Sequence, residues 1–250
     1  MKSDHRLYPV EAFDRLATAE ANHWWFRSRN QVLLWVLRQR CGVIGSLLEV
    51  GCGTGFVLEA IRGAYPQAEL FGSEFFDEGL THARKRVPSA TFTQLDARVM
   101  TDHNRYDAIG AFDVIEHIEE DEQVLANLTR ALRQGGKLLL TVPQHRWLWS
   151  LTDEHACHVR RYSRGELVDK VKRAGLRVEY VTSFVSLLVP LMWLSRRRKH
   201  TGEYDSMREF QISGWLNRIL ELVMRTELVL LKLGVRFPVG GSLLLLASKP

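Results

Sequence analysis

The chain has 250 residues, 46% of them hydrophobic and 25% charged, with a formal net charge of +5. That size and apolar content can bury a full core and fit one domain with embellishments better than two independent ones. Three scattered cysteines (Cys41, Cys52, Cys157) argue against a disulfide framework or a zinc cluster, no run reaches the roughly 18 apolar residues of a membrane-spanning helix, and the basic residues form short clusters and not the long stripe of a nucleic-acid binder. The opening Met1-Lys2-Ser3-Asp4-His5 is polar and lacks a signal peptide's apolar core, so a reduced, cytoplasmic setting is expected.

In chain order, the first 40 residues read as helices, with Val32, Leu33, Val36 and Leu37 at helical spacing. Short apolar runs then alternate with amphipathic stretches. Strands are predicted at Leu47–Val50, Glu69–Gly72, Thr91–Thr93, Ala108–Phe112 and Lys137–Val142. Helices are predicted at Phe56–Gly63, Asp77–Arg86 and Glu122–Leu132, the last closed by Gly135-Gly136. This alternation predicts an α/β fold, a parallel sheet with helices on both faces. A loop rich in Trp and His follows, then a helix from Ser163 to Ala174, with Glu166 three residues after the capping serine. A sixth strand is expected at Leu176–Thr182 and a final one at Ser242–Ser248; residues His200–Ser206 read as a mobile loop. The cluster Arg84-Lys85-Arg86 reads as solvated surface.

The most informative stretch is Leu47-Leu48-Glu49-Val50-Gly51-Cys52-Gly53-Thr54-Gly55, a strand running through glycines into a helix. Glycine removes the side chain that would keep a ligand off the backbone and permits positive φ at the turn. The spacing is G-x-G-x-G, not the G-x-G-x-x-G of dinucleotide sites. Glu49 precedes it, and a carboxylate there suits a cationic ligand carrying an ammonium and a sulfonium while repelling a pyrophosphate. Glu74 follows the second strand, where a carboxylate can accept from both hydroxyls of a ribose. A nucleoside without phosphates satisfies all three features; a dehydrogenase, binding nicotinamide, is the competing reading.

The run LLEVGCGTG, followed in order by Phe71-Gly72-Ser73-Glu74, Leu95-Asp96-Ala97, YDAIGAFDVIEHI (Tyr106–Ile118) and LRQGGKLLLTVP (Leu132–Pro143), resembles the class I S-adenosylmethionine-dependent methyltransferases. Within that class it is most similar to the ubiquinone-biosynthesis-like and bacterial small-molecule methyltransferases, and the segments HWWFRSRN and DEHACHVRRYSRGEL extend the likeness. The resemblance implies a doubly wound, mostly parallel seven-stranded Rossmann-like sheet with its last strand antiparallel. The chain is expected to divide into an N-terminal helical cap (1–45), a cofactor-binding core with lid loop (46–182), a helical insertion (183–241) that delays the last strand, and that final strand (242–250). For the cofactor, S-adenosyl-L-methionine leaving as S-adenosyl-L-homocysteine, the resemblance implies that Gly51, Gly53 and Gly55 pass under the methionine moiety and Glu49 holds its ammonium. Glu74 would take the ribose, Phe75 would pack on adenine, Asp96 and Ala97 would bond the adenine edge, and Asp113 is a second group for the methionine end. For Asp96 and Asp113 the alternative is ordinary capping of the following turn.

Methyl transfer from a sulfonium is an in-line displacement in which the protein aligns the acceptor and excludes water. A hydroxyl acceptor benefits from a histidine base, and His117, just after the fourth strand, is the leading candidate, with His155 and His158 also candidates. The loop after the fifth strand gathers His145, Asp153, His155, His158, Arg160, Arg161 and Tyr162. It reads as a lid whose His145, Arg161 and Tyr162 face the acceptor, in preference to a metal site on Asp153, His155 and His158, so no metal is expected. Trp24 and Arg27, in His23-Trp24-Trp25-Phe26-Arg27, are expected on the opposite wall, unless Trp25 and Phe26 are simply core.

The acceptor is expected to be a small or lipid-linked molecule methylated on oxygen, with carbon methylation of a quinone-like ring or a non-catalytic cofactor-binding subunit as alternatives. No nucleic acid is expected: after the fourth strand stands Phe112-Asp113-Val114-Ile115 and no Pro-Pro-aromatic run. Between the sixth and last strands, Phe184–Leu194 is nearly all apolar and ends in Arg196-Arg197-Arg198-Lys199. Leu216–Leu233 is amphipathic, with Asn217, Glu221, Arg225 and Lys232 set against Ile219, Leu220, Val223, Leu230 and Leu231. The segment 184–233 reads as a substrate cap, a homodimer face or a peripheral membrane contact on the inner face of the membrane.

Overall fold

A computed structural model describes residues 12–197 and 212–250. Two helices, α1 (Ala12–Ala19) and α2 (Trp24–Arg40), precede seven strands: β1 (Ser46–Val50), β2 (Glu69–Glu74), β3 (Thr91–Gln94), β4 (Tyr106–Phe112), β5 (Leu132–Pro143), β6 (Arg177–Phe184) and β7 (Ser242–Ser248). Between them lie α3 (Phe56–Ala64), α4 (Asp77–Arg86), α5 (Asp121–Ala131), α6 (Leu151–His155), α7 (Arg164–Arg173), α8 (Val189–Arg197) and α9 (Gly214–Lys232). The strand order is β3-β2-β1-β4-β5-β7-β6, and β7 runs antiparallel to both β5 and β6. The sheet is thus the doubly wound, mostly parallel one expected.

β1 pairs in parallel with β2 on one side and β4 on the other. Successive connections therefore leave in opposite directions from β1, and a crevice opens at the carboxyl ends of β1 and β4. Both faces of the sheet are covered. Val32, Leu33 and Val36 of α2, Val57, Leu58 and Ile61 of α3, and Met224 and Leu228 of α9 share one core with Leu47, Leu70 and Leu244. Val124, Leu125 and Leu128 of α5 and Leu167 of α7 share the other with Leu48, Ile109, Leu138 and Leu245. Burial on both faces explains the continuous apolar reading of Leu243–Leu246.

Three expectations are corrected. Gly135-Gly136 does not close the helix expected over Glu122–Leu132: that helix is Asp121–Ala131, and β5 already begins at Leu132. The glycines sit inside β5, where Gly135 has φ of 75° and donates to the Lys249 carbonyl at 2.9 Å. Arg86 is not solvated surface, because its guanidinium turns inward onto Glu20 and Thr54. The polar face expected on α9 is rotated: Glu221 is buried, Asn217 donates to the Asn22 carbonyl at 2.9 Å, and Ile219 and Leu222 point outward. The expected loop at His200–Ser206 lies outside the described residues.

Candidate functional site

The glycine loop closes the crevice from below. Gly51, Gly53 and Gly55 take φ of 67°, 50° and 78°, a region an L side chain rarely adopts. A Cβ on Gly51 would fall 2.5 Å from the Val114 side chain, so this glycine is demanded by packing as well as by φ. The loop is held at both ends. The Thr54 hydroxyl donates to Glu20 at 2.7 Å, and the Gly53 N–H donates to Glu74 at 2.9 Å. The other Glu74 oxygen accepts from the Phe75 and Phe76 N–H groups at 2.8 and 3.2 Å. Three of the roughly four acceptor positions of that carboxylate are filled by backbone, so it can take one more hydroxyl without giving up a loop contact.

Glu49 lies on β1 with one carboxylate oxygen, Oε2, buried and without a partner. Burial raises its pKa to about 8, against the pull of Arg29. Beside it, Asp113 follows β4 with φ of 59° and is gripped by Arg29 at 2.7 Å. Arg29 in turn lies over the Trp25 ring, 4.6 Å from its centroid, so α2 delivers a preoriented cation to the crevice. Along the opposite rim a cavity of about 400 Å³ is lined by Phe75, Phe76, Gln94, Leu95 and Asp96, among others. Asp96 caps the turn Ala97–Val99 through the Arg98 N–H at 2.9 Å and pairs with the Arg98 side chain at 2.7 Å, which holds its pKa low. Ala97 is buried and its carbonyl accepts from Asn127 at 2.9 Å.

Next to Asp113 a second cluster assembles from the turn Ile115–His117 and the lid. His158 Nδ1 lies 2.9 Å from Asp153, and its Nε2 lies 4.0 Å from Glu116. The His158 ring meets the His117 ring edge-on at 4.7 Å between centroids. Asp153 is fully buried and also accepts from Arg161 Nε at 2.7 Å and Ser150 N–H at 2.8 Å. Burial alone would raise its pKa, but His158 and Arg161 hold it at about 2. Glu116 is 0% exposed with neither carboxylate oxygen partnered, and burial followed by the nearby Asp113 charge drives its pKa well up. His117 is pushed down to about 4 by burial and by His158, so its imidazole is neutral near pH 7.

Residues 48–138 match the sequence profile of a family described as a methyltransferase domain. Over 165 residues the chain is 30% identical to a protein of Mycolicibacterium smegmatis named "probable S-adenosylmethionine-dependent methyltransferase", covering 64% of this chain and 62% of the relative. It is 26% identical over 133 residues to the ubiquinone biosynthesis O-methyltransferase of Coxiella burnetii, covering 48% of this chain and 57% of that one. Residues 48–138 thus carry a methyltransferase domain, and the chain resembles S-adenosylmethionine-dependent methyltransferases. Its fold is shared with Haemonchus contortus phosphoethanolamine N-methyltransferase 2 bound to S-adenosyl-L-methionine, at 18% identity and a TM-score of 0.59 over 87% of this chain and 52% of that one. The chain spans less than two thirds of the length of these curated relatives.

S-adenosylmethionine is the cofactor of these methyltransferases, and the residues present fit it. The unpartnered, buried Glu49 oxygen asks for a cation, the Gly51 backbone is stripped of any Cβ, and Arg29 supplies positive charge for a carboxylate. Not every residue expected around this methyltransferase cleft is brought to it. Arg27 pairs with Glu221 of α9 at 3.0 Å, and the Trp24 N–H donates to Asn217 at 2.8 Å, so both serve the α2–α9 seam. Tyr162 is fully buried with its hydroxyl on Asp121 at 2.6 Å, and Arg161 spans Asp153 and the Gln144 carbonyl; both pin the lid to the sheet. His155 is exposed at the end of α6. His145, at φ of 63°, stacks on Trp147 with ring centroids 5.2 Å apart.

The metal reading on Asp153, His155 and His158 changes too. Among the described residues, the groups whose donor atoms converge, within 4.8 Å of one another, are Glu116, His117 and His158, each offering one ligand atom. Sequence reasoning missed Arg29 and Glu116. Arg29 stands four residues after Trp25, a spacing that puts both on one helix face. Glu116 was hidden as the neighbour of a more eye-catching histidine.

Proposed function

We propose that the chain transfers the methyl group of S-adenosylmethionine to a hydroxyl oxygen of a small-molecule or lipid-linked acceptor, leaving S-adenosyl-L-homocysteine. The observation that carries this reading is the 2.9 Å pair of Asp153 and His158 beside Asp113 and Glu116, at the carboxyl end of β4. A carboxylate accepting from Nδ1–H fixes the tautomer and leaves Nε2, 4.0 Å from Glu116, with a free lone pair. That arrangement can take a hydroxyl proton as oxygen attacks the methyl carbon. His117, neutral and with a pKa near 4, serves as the wall against which His158 is held. Glu49, Arg29 and the glycine loop hold the methionine end of the donor, and Glu74, Phe75 and Asp96 its nucleoside end. When bound, the cofactor supplies an already activated methyl group, so alignment and exclusion of water are what the protein adds.

The test is transfer of labelled methyl groups into fractionated extracts by the wild type, His158→Ala and His117→Ala. Label is expected in a small-molecule or lipid fraction as an alkali-stable O-methyl ether. His158→Ala should lose about 100-fold in rate with donor affinity kept. Label in RNA, or on carbon, overturns the acceptor class.

A further inference from the structure

The outward face of α9 carries a continuous apolar stripe. Trp215, Ile219, Leu222, Val229 and Leu233 are each between 49% and 76% exposed. Their spacing is that of a heptad seam, with Thr226 filling the one gap, and it extends about 27 Å at helical rise. The opposite face of α9, with Leu220, Met224, Leu228 and Leu231, is already spent on the core. The stripe therefore has no fold partner among the described residues.

The charges of α9 are sorted with it. Arg218, Arg225 and Lys232, seven residues apart, flank the stripe on one side and are all exposed. The two acids of α9 are both buried. Glu227 is 0% exposed and accepts from the Ser186 and Leu187 N–H groups at 2.7 and 2.9 Å, and Glu221 is buried between Arg27 at 3.0 Å and Arg225 at 2.8 Å. The outer face thus presents apolar side chains and cations and no carboxylate. Leu187, Leu191 and Leu194, around and on α8, add further exposed apolar bulk, and Arg196 follows them.

We infer that α9 docks on an anionic lipid surface, its apolar stripe in the interface and Arg218, Arg225 and Lys232 on the headgroups. The charge pattern selects this occupant. A second copy laid antiparallel would set the three cations against their own counterparts with no exposed acid between them, since Glu221 is buried and already shared by Arg27 and Arg225. A parallel copy would set them against Leu216, Val223 and Leu230, which are half-buried. No described helix is long and apolar enough to cross a membrane, so contact would be along the surface. The inference does not depend on the methyl-transfer reading.

The test is flotation of the full chain with phosphatidylcholine–phosphatidylglycerol vesicles and with pure phosphatidylcholine vesicles. The protein is expected to float with the first only, less at high salt. Arg218→Glu/Arg225→Glu/Lys232→Glu should lower partitioning by about 100-fold, near fivefold per cation. Ile219→Glu/Leu222→Glu should abolish it. Both variants are expected to keep the wild-type donor affinity by calorimetry, which reports on fold independently. A wild type that stays at the bottom with anionic vesicles overturns the inference. So does equal flotation with neutral vesicles, or a sedimentation-equilibrium dimer that Leu222→Glu splits, which would make the stripe a seam between copies.

Discussion

The proposed donor side and the proposed acceptor side of the crevice are built in different ways. The glycine loop takes its shape from consecutive residues: three positive φ angles and one packing constraint against Val114 lie within five positions. The acceptor cluster draws Glu116 and His117 from one turn, and Asp153, His158 and Arg161 from a lid over 30 residues later. The first is a local conformation with a sequence signature. The second is a set of long-range bonds around one buried carboxylate. Damage should therefore differ in kind: on the donor side it removes binding, on the acceptor side it removes rate and anchors.

The largest effect expected is Gly51→Val, which places a branched side chain at φ of 67° against Val114. Donor affinity measured by calorimetry should fall by at least about 100-fold. Unchanged affinity would mean that the loop is not the donor cradle. Next comes Asp153→Asn, which frees His158 and leaves Arg161 buried without its counterion. Turnover should drop about 100-fold, and thermal unfolding should show a loss of about 3 kcal/mol. If stability falls with turnover intact, Asp153 is only an anchor.

Glu49 offers a pH test of the donor side. Its carboxyl stays protonated up to about pH 8 in the folded protein, so its contribution to stability is full below its ordinary pKa and is lost as pH rises toward 8. Glu49→Gln should raise the melting temperature of the ligand-free protein at pH 8 and leave it little changed at pH 4. A cationic ligand favours the ionised carboxylate, so wild-type affinity for the donor should climb by up to about tenfold per pH unit below pH 8, with proton release seen in buffers of different ionisation enthalpy. A flat profile would detach Glu49 from the ligand's ammonium. Asp96→Asn should do least. Its partner Arg98 is largely solvent-facing, so stability should shift by under ~1 kcal/mol and donor affinity by severalfold at most.

Much of this molecule was legible before folding. α4 and β7 have the bounds their sequences predict, because α4 carries acids in its first turn and bases in its last, and β7 is a continuous apolar run. The glycine spacing predicts the three positive φ angles the loop takes, by local stereochemistry alone. The rest needed tertiary structure. Arg29 rather than Arg27 reaches Asp113, because the phase of α2 is set by packing on α9, which periodicity in α2 does not contain. Arg161 and Tyr162 became anchors because buried Asp153 and Asp121 compete for them more strongly than solvent does. The phase of α9 itself was decided by the seam with α2, where Asn217 and Glu221 find partners, and that rotation left apolar side chains outside. Local backbone geometry and binary charge are properties of adjacent residues; which of two helix faces is buried, and which histidine meets a carboxylate, are decided only when distant segments compete for the same interior.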